Sequence, residues 1–220
     1  MKQLLSARFT LLIFIVVAAL YSSWLLGFLL DPSTAQYGLA SDLEYPGHPY
    51  YWVFILSDIF VGVSLTLIVA MMQVRLKRKF WSWLWAPILL GLLLFGLLSA
   101  TSADSPLTCE PGYIRVCLTI GHHKLGPDSV ESTLASAGLF ISLVSAGIVS
   151  WRLRLNRYLG WLTWLTTIFW LASAVLFVRA ADINRHLHNV QQLLLSATAI
   201  AILIIGLNVY AILQKDQPDF

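Results

Sequence analysis

Long apolar stretches, separated by shorter polar segments, follow one another along the whole chain. A helix that crosses a bilayer needs about 20 mostly apolar residues, because it rises roughly 1.5 Å per residue. Six stretches meet this requirement: residues 9–30, 51–73, 80–100, 132–151, 159–178 and 190–213. The pattern predicts an all-α membrane protein, in which six transmembrane helices form a single bundle and a single domain.

The first stretch begins like a signal peptide, since Lys2 and Arg8 precede its apolar run. That run is longer than the roughly 7–15 apolar residues of a signal peptide, and no small-residue cleavage site follows it. We therefore expect the stretch to be retained as the first helix.

Basic residues divide unequally between the two sides of the predicted bundle. Only four of the 14 Lys and Arg residues lie on the side that carries the first, third and fifth linkers: Arg115, Lys124, Arg179 and Arg185. Of the 11 acidic residues, only Asp216 and Asp219 lie on the opposite side. The positive-inside rule then predicts a multi-pass protein of the cell membrane with both termini in the cytoplasm.

Composition supports this interpretation. The chain is 58% hydrophobic and 11% charged, whereas soluble domains carry about 25% charged residues. Because the basic residues mark topology, they do not indicate a nucleic-acid partner. The expected partners are the lipid bilayer and a lipid or membrane-protein partner.

Both cysteines, Cys109 and Cys117, fall in the predicted outer loop 101–131. That side of a cell membrane is oxidising, so we expect a disulfide that staples the loop. Metal binding through deprotonated thiols is the alternative.

Asp58 lies about two turns inside the second predicted helix, below the aromatic residues Tyr50–Trp52. Carboxylates inside a span are costly and usually have a partner or a function. One interpretation is an acid that pairs with a basic or hydroxyl group on a neighbouring helix and holds the bundle together. The other is a ligand for a proton, a metal or a substrate at the outer mouth.

All five histidines lie on the predicted outer side. Four of them, all except His48, define a candidate polar site at the outer mouth together with two acids: Asp58, His122, His123, Asp182, His186 and His188. Imidazole and carboxylate suit zinc, and its candidate ligands are Asp58, His122, His186 and His188. No H-E-x-x-H signature is present, so solvated loop histidines without any cofactor are the alternative.

Other polar and small residues predict contacts between helices. In the fourth stretch, Gly138 and Ser142 belong to a small-residue stripe that lets helices approach closely. In the sixth stretch, Thr198 and Asn208 predict hydrogen bonds across the bundle, near its outer and inner ends respectively.

The segment 41–54 has the pattern S-D-L-x-x-P-G-x-P-x-x-W-x-F, and TCEPGYIRVC occupies residues 108–117. Both resemble the bacterial membrane family called domain of unknown function 998 (DUF998), whose members have six helices and a similar cysteine-paired segment. The family commonly has histidine where this chain has DSVES at residues 128–132. The resemblance implies the six-helix layout over the whole chain and no agreed activity.

Three functions are compatible with the sequence. The first is a non-enzymatic envelope protein that binds a lipid, a peptide or a protein partner at its outer mouth. The second is an outward-facing, metal-dependent hydrolase of a lipid amide or ester. The third is a small proton-coupled transporter that uses Asp58.

Overall fold

The computed structural model describes residues 6–32, 43–44, 50–76, 82–102, 127–183 and 187–215. Within these ranges the chain is helical and contains no strand. The seven α-helices are α1 (Ala7–Tyr21), α2 (Gly27–Leu30), α3 (Tyr51–Leu76), α4 (Ser82–Ser102), α5 (Pro127–Arg152), α6 (Arg157–Ile183) and α7 (Leu187–Lys215). The predicted all-α class is therefore confirmed.

Four of these helices are long and apolar enough to cross a membrane. Their qualifying segments are Tyr51–Gln73, Thr133–Arg152, Arg157–Ala180 and His188–Lys215. The segments Ala7–Tyr21 and Ser23–Leu30 make a fifth span if the bent pair is counted as one, and α4 contributes the shorter apolar segment Trp85–Ala100. The described helices thus include four or five spans, close to the predicted boundaries.

The first apolar stretch is not the continuous helix that its composition predicted. It bends by 44° after Tyr21, and a 3-10 helix (Ser23–Leu26) joins α1 to α2. The Ser22 hydroxyl donates a hydrogen bond of 2.9 Å to the carbonyl of Ala18. Serine pairs and serine bonds to the preceding turn are recognised causes of helix bends. The bend leaves Tyr21 at the end of α1.

The long helices form a closed ring. Around the ring α1 packs on α3, α3 on α4, α4 on α5, α5 on α6, α6 on α7, and α7 returns to α1. Helix α7 also contacts α5, so it has three neighbours and the largest buried share of any qualifying span. Its buried residues, such as Ile202 and Ile205, join residues from the other helices in one apolar core.

Small residues bring α4 and α5 into close contact. A Cβ atom added at Gly138 would lie 2.7 Å from the carbonyl oxygen of Gly91. The hydroxyl of the fully buried Ser142 donates a hydrogen bond of 2.9 Å to the carbonyl of Ile88. The predicted packing role of this stripe is confirmed at Gly138 and Ser142.

Candidate functional site

Three polar side chains from separate parts of the chain meet near the bend of the first helix. Tyr21 comes from α1, Glu44 from the segment between α2 and α3, and Asp58 from α3. Tyr21 interacts electrostatically with both carboxyl groups, and the two carboxyl groups interact with each other. We call the group formed by Tyr21, Glu44 and Asp58 the acidic cleft.

Local packing explains how Glu44 reaches this position. Leu43, the residue before it, is only 1% exposed and therefore anchors the segment in the protein. Asp58 lies two turns inside α3, on a helix that packs directly against α1. The buried Leu43 thus holds Glu44 near Asp58.

The three side chains are only partly buried. Each keeps an intermediate share of its surface exposed, so none of them is sealed inside the core. Side chains that are partly covered by protein and partly accessible can contact a ligand.

Burial raises the pKa of Glu44 well above its usual value, and the nearby carboxyl group of Asp58 raises it further. Both causes act on the charged form, because desolvation and a neighbouring negative charge each disfavour a carboxylate. No ion pair links Glu44 or Asp58 to a basic side chain of the described residues. Within that part of the chain, the pairing of Asp58 with a basic residue is not observed.

Hydrogen bonds connect the acidic cleft to the middle of the bundle. The hydroxyl of Tyr21 shares a hydrogen bond with Thr198 of α7. Thr198 Oγ1 also accepts a hydrogen bond of 3.0 Å from the indole Nε1 of Trp170, on α6. The predicted role of Thr198 in bonding across the bundle is thereby confirmed.

Aromatic rings lie beside these hydrogen bonds. The ring of Tyr21 packs against Phe95 of α4, with the ring centroids 5.6 Å apart. The ring of Phe140, on α5, stacks on Trp170 with a centroid separation of 6.0 Å. Phe95 and Thr198 therefore contact Tyr21 directly, whereas Trp170 and Phe140 lie one and two contacts further into the bundle.

A second polar cluster holds the opposite end of the bundle together. The amide of the fully buried Asn208 donates a hydrogen bond of 2.8 Å to Thr163 Oγ1 and one of 2.7 Å to the carbonyl of Ile204. Its carbonyl oxygen accepts a hydrogen bond from Ser150. Asn208 links α5, α6 and α7, as the sequence predicted. Because every polar atom of its side chain has a partner, the cluster is a structural contact.

The sequence-predicted site residues are only partly within the described chain. Asp58 lies in the acidic cleft, and His188 lies in the first turn of α7 with intermediate exposure. Asp182 belongs to the last turn of α6, although its side chain is not described. Five further residues lie outside the described ranges: Cys109, Cys117, His122, His123 and His186. The disulfide and the histidine site stay predictions.

Within the described ranges, no three His, Cys, Asp or Glu side chains are grouped so that they could hold a metal ion. The acidic cleft supplies two carboxyl groups and a phenol. With only two carboxylates and no imidazole or thiolate, it fits a proton or an ammonium group better than a tightly held zinc ion, which usually takes at least three protein ligands.

Sequence reasoning missed Tyr21, Glu44 and Trp170. A tyrosine followed by two serines inside an apolar stretch is a usable signal, because such serines bend helices. An apolar residue beside an acid in the polar segment, Leu43 before Glu44, is a second one. Trp170 has no comparable signal, since interfacial anchoring explains tryptophans in a membrane protein equally well.

Comparison with known proteins adds no family to this description. The chain matches no family model, no curated protein and no solved structure. The resemblance to DUF998 stays a prediction.

Proposed function

We propose that the chain is a six-span protein of the cell membrane, with both termini in the cytoplasm, that binds a lipid or peptide ligand through a cationic amine. The acidic cleft is the proposed binding site. The observation that carries the proposal is the electrostatic interaction between Glu44 and Asp58, two partly exposed carboxyl groups that form no ion pair with a described basic residue.

The charge balance of the cleft favours a cationic ligand. Two carboxyl groups in one enclosed site repel each other when both are ionised, and a positive charge between them removes that repulsion. An ammonium group also donates several hydrogen bonds, and bonds between charged groups are about twice as strong as neutral ones. A negatively charged or purely apolar ligand gains neither effect.

The ring of Tyr21 supports the same ligand class. Tyr21 interacts with both carboxyl groups and is partly exposed. A cation placed over an aromatic face gains about 0.5–2 kcal/mol, with the larger values in desolvated sites. An amine near the two acids can therefore also interact with the ring of Tyr21.

The direction in which the ligand arrives follows from charge. The acidic cleft lies towards the end of the bundle that carries the predicted acidic linkers. The opposite end holds the basic linkers and the Asn208 cluster. The positive-inside rule places that opposite end in the cytoplasm, so the proposed ligand approaches from outside the cell.

A matched pair of amphiphiles tests the proposal. Dodecylamine and dodecanol have the same apolar chain, and only the first carries a positive charge at neutral pH. We expect dodecylamine to raise the unfolding temperature of the protein in phosphatidylcholine nanodiscs in a saturable manner, and dodecanol to leave it nearly unchanged. Asp58→Asn should weaken the dodecylamine effect about tenfold or more, because a charge-assisted hydrogen bond is worth about 1.5–3 kcal/mol.

Asp216→Asn is the control, since it removes the same charge directly after α7, on the predicted cytoplasmic side. It should behave like the wild-type protein. Equal responses to the amine and the alcohol, or an unchanged response in Asp58→Asn, would remove the basis for an amine site.

The hydrolase and the transporter stay predictions. For the hydrolase, His122 and His186 lie outside the described residues, so its proposed zinc ligands are not assembled here. The transporter shares Asp58 with the proposed binding site.

A further inference from the structure

Helix α6 leaves an unusually large part of its surface uncovered. Only 28% of its qualifying span is buried within the protein, against 39% to 56% for the other three spans that qualify by length. Large apolar side chains such as Leu165, Ile168 and Val178 are more than half exposed. Such a face is stable only when lipid tails or another apolar surface covers it.

A shallow, open groove lies on this face near one end of the helix. It has a volume of about 270 Å³, and the described residues that line it all belong to α6: Ala174, Val175, Val178 and Arg179. We call it the α6 groove. Val178 lies one turn after Ala174 and Val175, and the exposed Arg179 follows Val178 at the end nearer to Ile183.

The position of Arg179 fits the boundary between lipid tails and head groups. Arg157 begins α6, and Arg179 follows 22 residues later, which corresponds to about 33 Å of helix at 1.5 Å per residue. The hydrocarbon core of a bilayer is about 30 Å thick. The two arginines therefore stand at opposite surfaces of the core, with the apolar face of α6 between them.

The α6 groove could be covered by a second copy of the chain or by a lipid, and the charge of Arg179 decides between them. In a two-fold dimer that pairs this face with itself, each residue on the axis meets its own copy. Arg179 would then approach the Arg179 of the second copy, and like charges at such an interface are unfavourable. A lipid with a net negative head group meets Arg179 with the opposite charge and offers an acyl chain to the apolar lining.

We propose that the α6 groove binds an anionic phospholipid, whose acyl chain lies along Val175 and Val178 and whose phosphate accepts hydrogen bonds from Arg179. Arginine suits this role because its planar guanidinium can donate two parallel hydrogen bonds to a phosphate. The site is separate from the acidic cleft, so either proposal can fail without the other.

Native mass spectrometry of the full chain tests the proposal directly. The protein is released from nanodiscs of equal parts phosphatidylglycerol and phosphatidylcholine, and retained lipids are counted. We expect the wild-type protein to retain one phosphatidylglycerol in preference to phosphatidylcholine. Arg179→Gln should lower that preference about tenfold, whereas Arg179→Lys should keep most of it because the charge remains.

Two controls locate the effect. Arg157→Gln removes the same charge from the other end of α6 and should leave this preference unchanged. Val175→Trp fills the groove while Arg179 remains, and should reduce lipid retention. Equal retention in Arg179→Gln and the wild-type protein, equal losses in Arg179→Gln and Arg157→Gln, or a dimer that covers the groove would each overturn the proposal.

Discussion

The ionisation of Glu44, in the segment between α2 and α3, depends strongly on its surroundings. Burial raises its pKa above the ordinary value of 4.5, and Asp58 on α3 raises it further. Tyr21 on α1 also faces it. Because the folded protein binds the proton of Glu44 more tightly than the unfolded chain does, this group destabilises the fold once it ionises.

The sign of the resulting pH dependence is fixed. Below about pH 4.5 Glu44 is protonated in both states and contributes no difference. As the pH rises through the raised pKa, the folded protein loses the favourable protonated form, so stability falls. We expect the unfolding temperature of the wild-type protein to fall more between pH 5 and pH 8 than that of Glu44→Gln. Parallel curves for the two proteins would show that Glu44 is not held in its neutral form.

The sequence shows which polar residues inside the apolar stretches form hydrogen bonds between helices, but it does not show their partners. Asn208 and Thr198 stand out because an amide or a hydroxyl in a span needs a hydrogen-bond partner. Their partners Thr163 and Trp170 depend on which helix faces which. Glu44 lies outside the apolar stretches, so periodicity alone does not place it near Asp58.

At the scale of the elements, the close contact of α4 with α5 depends on glycine. A methyl group at Gly138 would meet the Gly91 carbonyl at 2.7 Å and the Cβ atom of Leu94 at 3.0 Å. Such contacts involve backbone atoms and cannot be relieved by rotating a side chain. The two helices must therefore separate, or the backbone must shift.

Gly138→Ala should destabilise the protein by about 1–3 kcal/mol, the usual cost of overpacking. Gly160→Ala, on α6, is the matched control because nothing lies within 4 Å of the added methyl group. There alanine should be neutral or stabilising, since it has the higher helix propensity. Unfolding temperatures of both variants in one detergent make the comparison, and equal losses would contradict the close contact.

The helices themselves were largely predictable, and the bend in the first one was not. Apolar length alone locates most of the ends of four helices to within a few residues: α3, α5, α6 and α7. The bend at Ser22 depends on a hydroxyl bonding back to the Ala18 carbonyl, a choice that serines in helices make only in some contexts. Yet this bend ends α1 at Tyr21 and so helps to form the acidic cleft.

At the scale of the whole molecule, the two ends of the ring differ in kind. One end is closed by Asn208, whose side-chain atoms are all satisfied. At this end Lys215 also donates a hydrogen bond of 2.6 Å to the carbonyl of Leu153. The other end holds the acidic cleft. The ring order follows from packing between distant segments, which neither apolar length nor charge could specify.

The most direct test of the account is the accessibility of residue 58 from outside intact cells. We expect Asp58→Cys to react with a small, membrane-impermeant, cationic methanethiosulfonate reagent, and its advantage over the matched anionic reagent should grow with pH as Glu44 ionises. Ser150→Cys, at the closed end, should stay unmodified, and the wild-type chain gives the background from its own cysteines. If Asp58→Cys reacts only after the membrane is permeabilised, the acidic cleft does not open to the outside and the proposed function is contradicted.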